Sequence, residues 1–306
     1  MIRALTWSMG AALLLTLSAS SARAQTGTDD GLGALREEVA RARKETPEAF
    51  VRLEAVIPQV TVLDARKRGT LAAAAALFRD LGAQALWPMV ERLAFDDAGQ
   101  APQPVRDSAK LALQVGMVEA TGDLRDARLL PLWKSLLEGS ETRRPARRAA
   151  ATALAKLESP EAAALLIALS HQEGSRGETV REAMGRCRRL VMAQALAEAL
   201  ALNPAPSETR RLAVALGDVG SFWAWKTSQS KSREEEGAVR RVAAEALVGA
   251  WMKQTGDIQQ AITQALLRVD APETVSLIQA MRTRTEEPRR AALEDLEQRM
   301  LHNPLR

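Results

Sequence analysis

Few side chains in this 306-residue chain have the types and spacing that chemistry needs. It holds two histidines, His171 and His302, and one cysteine, Cys187. Neither histidine stands three or four residues from the other, so no helical face carries the paired imidazoles of a multi-histidine metal site. A Gly-rich phosphate loop, a GxSxG elbow and a CxxC pair are all missing from the sequence. The acidic pairs Asp29-Asp30 and Asp96-Asp97 fall in stretches that read as leader and loop, where carboxylates are more often solvated than catalytic. His171 reads as the end of a helix, a place where imidazolium suits the negative dipole. On these residues no metal or cofactor is expected, and the chain reads as not an enzyme.

Arginine and tryptophan are what remain. Three of the ten aromatic residues sit within four positions in "GSFWAWKTSQSKSREEEG" (220–237), followed by a long polar run. Arginines recur at the starts of similar segments: Arg106, Arg147, Arg240 and Arg289 at one position, Arg148, Arg210, Arg241 and Arg290 at the next. Their net effect on charge is small. The formal charge is +4, and the basic residues alternate with acidic ones, which favours mixed-charge faces over a nucleic-acid footprint.

The elements that position these residues are helical. Hydrophobic residues make up 46% of the chain, mostly Ala and Leu, while aromatics are 3% and Tyr is absent, so helix formers far outnumber strand formers. "PARRAAATALAKL" (145–157) sets Ala146, Ala149, Ala150, Ala153, Leu154 and Leu157 on one face, with Pro145 suited to the first turn. "SPEAAALLIALS" follows, with Ser159 as cap, Pro160 in the first turn, and Ala162, Leu165, Leu166 and Leu169 as a second stripe. Two such helices joined by a tight turn form a hairpin. The first helix recurs with anchors Leu77, Leu113, Leu154, Leu216, Leu247 and Leu296, at intervals of 36, 41, 62, 31 and 49 residues. Because 62 is twice 31, a unit is skipped near residues 180–200.

These segments, with "LWPMVERL" (86–93) and "LLPLWKSLL" (129–137), resemble HEAT repeats, in particular the short bacterial repeats of phycobilin-lyase subunits. The resemblance covers about residues 65–300. It implies an all-α superhelix, a HEAT/armadillo-type α-solenoid of about six to seven hairpins, in which each hairpin buries its apolar stripe only against its neighbours. It does not bring an activity: no chromophore-handling residue matches, and the His-Glu pairs of the iron-binding deoxyhypusine-hydroxylating HEAT enzymes are missing.

Stacked repeats would align the eight arginines into a ladder along one edge, interleaved with Asp107, Glu141, Glu208, Glu236 and Glu287. Ion pairing between repeats is the favoured role for that ladder, and a strip for an anionic polymer the lesser one. Aligned on Leu216, the fifth repeat has Thr227, Ser228 and Lys231 where Leu165, Leu166 and Leu169 stand in the third. Its second helix reads as lost to a mobile polar loop. Phe222 and Trp223 continue the Leu212, Ala215, Leu216, Val219 stripe and read as core plugs, which leaves Trp225 as the aromatic facing a partner.

The organisation expected is a signal peptide over 1–24, a flexible leader over 25–33, capping helices over 34–64 and the solenoid over 65–301. Arg3, the apolar "ALLLTLSA" (12–19) and Ala22-Arg23-Ala24 carry the signal reading. Cleavage leaves 40 basic against 38 acidic residues and no transmembrane segment. A lone cysteine in an exported chain can form no internal disulfide, so Cys187 reads as a small buried apolar residue. The resulting expectation is a periplasmic or secreted adaptor that holds a protein or peptide, not nucleic acid. The alternative is a lyase-like accessory subunit of an enzyme.

Overall fold

A computed structural model describes the backbone of residues 16–67, 69–95, 106–227, 230 and 232–306, with side chains from residue 31 onward. All regular structure among the described residues is helical. Two long helices come first, α1 (Thr16–Glu45) and α2 (Pro47–Arg66), then α3 (Ala75–Arg79) and α4 (Leu86–Ala94). α5 (Asp107–Asp123), α6 (Leu130–Glu138), α7 (Arg144–Lys156) and α8 (Pro160–Ser170) follow, then α9 (Gly174–Met184) and α10 (Leu190–Ala201). The chain closes with α11 (Pro206–Val219), the short α12 (Phe222–Thr227), α13 (Glu236–Trp251), α14 (Gly256–Val269), α15 (Thr274–Arg282) and α16 (Arg289–Leu301).

These helices stack in two rows. α3, α5, α7, α9, α11, α14 and α16 pack in succession as the first row, and α8, α10, α13 and α15 as the second. α4 and α6 stand opposite α5 and α7, both covered by α1. The chain therefore alternates between rows from α3 to α16, and the fold is an α-solenoid. The unit expected near 180–200 is α9 with α10. Ser159 caps α8 as its sequence indicates, its hydroxyl accepting from the Ala162 amide at 3.2 Å, with Pro160 in the first turn.

The alternation corrects one repeat assignment. The segment around Leu247 has the sequence of a first-row helix, yet α13 packs beside α10 in the second row, and α14 packs beside α11 in the first. α13 is thus the returning helix of the hairpin that α11 opens. That repeat has lost nothing: residues 220–235 are an insertion in its turn. Residues 25–33, expected as a flexible leader, lie inside α1, as does Ala24, while the first 15 residues of the signal reading fall outside the described residues.

Small residues hold the first row together. A Cβ on Gly122 would stand 2.6 Å from the Ala153 Cβ and 2.9 Å from its Cα. Gly185 lies against the Ala215 backbone and Gly217 against Ala265 in the same way, each with a nearest approach at or below 3.0 Å. Contacts this tight bring neighbouring backbones together where larger side chains would hold them apart. The second row is filled instead by bulk, with Trp133, Leu137, Leu166, Leu196 and Trp251 buried.

Polar contacts fasten the same seam. Asp123, at the end of α5, is held by Lys156 of α7 and Arg79 of α3. Burial pushes its carboxyl up, but the two cations together outweigh that and hold it below the usual carboxylate value. Gly122→Leu should destabilise the protein by about 1–3 kcal/mol through overpacking, read by urea denaturation. Asp123→Asn should cost stability at neutral pH. Since the folded-state value is depressed, the difference from wild type should begin to shrink as the pH falls below about 4 and disappear once the pH is below the folded-state value, and a difference that persists in stronger acid would contradict this assignment.

Candidate functional site

The first row carries outward-facing stripes at helical i, i+4 spacing: Val115 and Glu119 on α5, Arg144, Arg148 and Thr152 on α7, Arg210, Val214 and Asp218 on α11, with Glu182 on α9 and Arg186 in the turn that follows it. Together they line a groove of about 870 Å³ that runs across four helices that pack in succession. Lys156 and Arg211 complete six lining cations, against the three carboxylates of Glu119, Glu182 and Asp218. Its apolar lining includes Leu71, Val115, Pro145 and Val214, the last 43% exposed, with the buried Ala149, Ala183 and Ala215 at its floor.

Each carboxylate in this network answers to more than one cation. Glu182 lies 3.8 Å from Arg144 and 3.9 Å from Arg148. Asp218 is 3.6 Å from Arg186 and is also paired with Arg268 of α14. Glu178 bridges Arg144 at 4.0 Å and Arg211 at 3.1 Å, and Glu208 joins Arg211 at 2.7 Å while also meeting Arg181. Except for those of Arg211 and the close Arg181 and Arg268 pairs, these separations exceed hydrogen-bond range. The guanidinium groups of Arg144, Arg148 and Arg186 are therefore exposed and near carboxylates, with donors to spare.

The eight-arginine ladder does not form. First-row helices all start at one end of the stack and second-row helices at the other, so Arg240 and Arg241, which open α13, are separated from Arg147, Arg148 and Arg210. The inner position is structural. Arg147 is buried and donates to the carbonyls of Thr142 (2.7 Å) and Gly139 (3.4 Å), and burial, then repulsion from Arg176, lowers its pKa. Arg240 donates to the Val269 carbonyl at 3.1 Å and to that of Asp270, and Arg289 to Gln254 at 3.4 Å. Arg106 lies 3.6 Å from the buried Asp64. The outer position is exposed, at Arg148, Arg210, Arg241 and Arg290, but only Arg148 and Arg210 share the groove.

The tryptophans also change places. Trp225 is fully buried and its indole donates to the Val219 carbonyl at 3.0 Å, whereas Trp223 is 49% exposed. The stripe of α11 does not run on to Trp223 because α11 stops at Val219. Gly220 fits where a Cβ would meet Val269 and Ala243 at 3.0 and 3.1 Å, and α12 restarts at Phe222 with a new phase. Phe222, half-buried, meets Trp223 edge to face at 5.9 Å, with the Lys226 ammonium 3.9 Å from its ring centre. The Trp223 indole donates to the carbonyl of Leu305 in the C-terminal tail.

Ser230 and Glu235, described residues of the polar run after FWAW, are each fastened to earlier helices or turns. Glu235 accepts from the Leu190 amide, the first of α10, and from Arg189 at 2.9 Å, placing a negative charge at a helix start. Ser230 donates to Glu158 at 2.8 Å, and Arg189 reaches the Glu158 carbonyl at 3.0 Å. Glu158 is 3% exposed and lies 3.6 Å from Arg188. Ser228 and Lys231 lie outside the described residues. Cys187, fully buried beside this cluster, has its thiol pushed up to about 12, first by burial and then by the Glu158 charge, which leaves it without nucleophilic thiolate. Sequence reasoning missed this anchoring because its partners are 45 and 72 residues away.

Among the described residues no group of three or more His, Cys, Asp and Glu is arranged to hold a metal ion. No helix among them is long and apolar enough to cross a membrane. No family model matches the chain and no curated protein does. A solved structure, that of human deoxyhypusine hydroxylase in complex with glycerol, is similar at 20% identity and a TM-score of 0.32, covering 81% of this chain and 96% of that one. The likeness is a loose one of helical repeat architecture. The expectation that the chain is not an enzyme is corrected on one finding, that this similar structure is that of an enzyme.

Trp225→Ala should lower stability by about 3–5 kcal/mol, the range for emptying a large aromatic site. Trp223→Ala should cost no more than about 1 kcal/mol, the worth of one partly exposed hydrogen bond. Thermal and urea denaturation of the two variants would show the opposite order if the burial were assigned wrongly.

Proposed function

We propose that the chain is an exported solenoid of short HEAT-type repeats that binds a protein partner along the groove of its first row. The observation that carries this reading is the groove itself. Four helices that pack in succession contribute to it through residues that the packing does not consume: Glu119 of α5, Arg148 of α7, Glu182 of α9 and Arg210 and Val214 of α11 lie in its lining while the opposite faces of their helices fill the core. Extended surfaces of this kind are how stacked repeats recognise partners, with a few arginine or aromatic side chains supplying most of the affinity. Export is supported by the basic start, the short apolar stretch and the small-residue site ending at Ala24 in the sequence. The partner would then be met in the periplasm or outside the cell.

The half-buried Phe222 and the exposed Trp223, on α12, are not part of that groove. Their aromatic surface is engaged by Lys226 and the C-terminal tail, so the groove is the better docking surface.

Site-specific photocrosslinking tests the reading. A p-benzoylphenylalanine in place of Val214, on the groove lining, should label one discrete species in envelope extract. The same residue in place of Val51, 69% exposed on α2 and outside the groove, should not. Equal labelling from both positions, or none from Val214, would set the groove aside.

A further inference from the structure

We infer that the segment docked in this groove is acidic and extended, an inference that rests on the docking role proposed above. Of the six cations that line the groove, Lys156 is taken up by Asp123 and Arg211 by Glu178 and Glu208, and Arg144 and Arg186 meet carboxylates only at 3.6 Å or more, which leaves Arg148 and Arg210 as the lining cations with the least compensation. The Arg210 guanidinium is exposed and makes no ion pair among the described residues, while Arg148 is 69% exposed and meets Glu182 only at 3.9 Å. Carboxylates entering from outside would find guanidinium forks that are exposed and not saturated, open to bidentate charge-assisted hydrogen bonds.

The rest of the lining selects among polyanions. No aromatic side chain lines the groove, so bases of a single-stranded nucleic acid would have no ring to stack on. Small apolar groups, Ala149, Ala183, Ala215 and Val214, lie between the arginines instead. An extended peptide that alternates acidic and small apolar side chains complements both, because its successive side chains point to opposite faces. Neighbouring packed helices lie about 8–10 Å apart, so the path from α5 to α11 is about 24–30 Å, enough for about seven to nine extended residues at about 3.3 Å each.

The test uses the full chain without its signal and a fluorescein-labelled peptide of five Glu-Ala repeats. Controls are the Gln-Ala counterpart and an oligothymidylate of the same number of units. Fluorescence anisotropy should show the acidic peptide bound about tenfold or more tightly than the Gln-Ala peptide, with affinity that falls as salt rises. The double variant Arg148→Glu, Arg210→Glu should lose that binding at least about tenfold while keeping its melting temperature, since both side chains are exposed and neither makes a close ion pair. Equal affinity for the two peptides, or binding unchanged by the double variant, overturns the acidic inference. So does preference for the oligothymidylate. If no peptide binds but Val214 still gives a discrete crosslink, the acidic inference fails and the docking role stands; if neither binds nor crosslinks, both fail.

Discussion

The close approach of the first-row helices is the constraint on which the rest of the structure depends. Gly122 against Ala153, Gly185 against Ala215 and Gly217 against Ala265 let backbones meet where a methylene would force them apart. Only at that spacing can one carboxylate reach arginines on the helices to either side, as Glu178 does from α9 to Arg144 of α7 and Arg211 of α11, while Glu182 reaches two successive turns of α7 through Arg144 and Arg148. The groove's electrostatics therefore follow from its packing. Replace the small residues, and the shared ion pairs would separate together with the helices that carry them.

That constraint also explains the composition. Alanine-rich helices lose little side-chain entropy on folding and fit the narrow seam, while the second row needs volume and receives the buried tryptophans and leucines. Two rows with different side-chain sizes give each hairpin two different tasks: one helix sets the spacing and shows its polar stripe to the groove, the other supplies bulk. The arginines divide in the same manner. Those at the inner position fasten neighbouring turns by their carbonyls, as Arg147 and Arg240 do, and those at the outer position remain available.

Much of the architecture was legible from periodicity. The stripes of 145–169, the cap at Ser159 and the skipped unit at α9 and α10 follow from spacing alone. What was not legible is which row a helix joins, because α13 carries a first-row sequence in a second-row position and a pattern of apolar residues does not state its neighbour. That single ambiguity misplaced Arg240 and Arg241 and made an insertion look like a missing helix. The tryptophan reversal has a more local origin: one glycine, Gly220, ends α11 and resets the helical phase, so a stripe extended through it by three residues points the wrong way. The groove's lining comes from stripes on four helices that are scattered over a hundred residues of sequence, and only the stacking assembles them.

Repeat arrays ordinarily fray, since each unit is stabilised only by the units on either side. The insertion between α11 and α13 departs from that rule. Through Glu235 it closes the start of α10, and through Ser230 it touches Glu158 at the turn after α7, two hairpins back. Local opening of either hairpin must break contacts that belong to the other. Three units are thereby linked into one cooperative block, and amide hydrogens from α7 to α13 should exchange together rather than in a gradient along the stack.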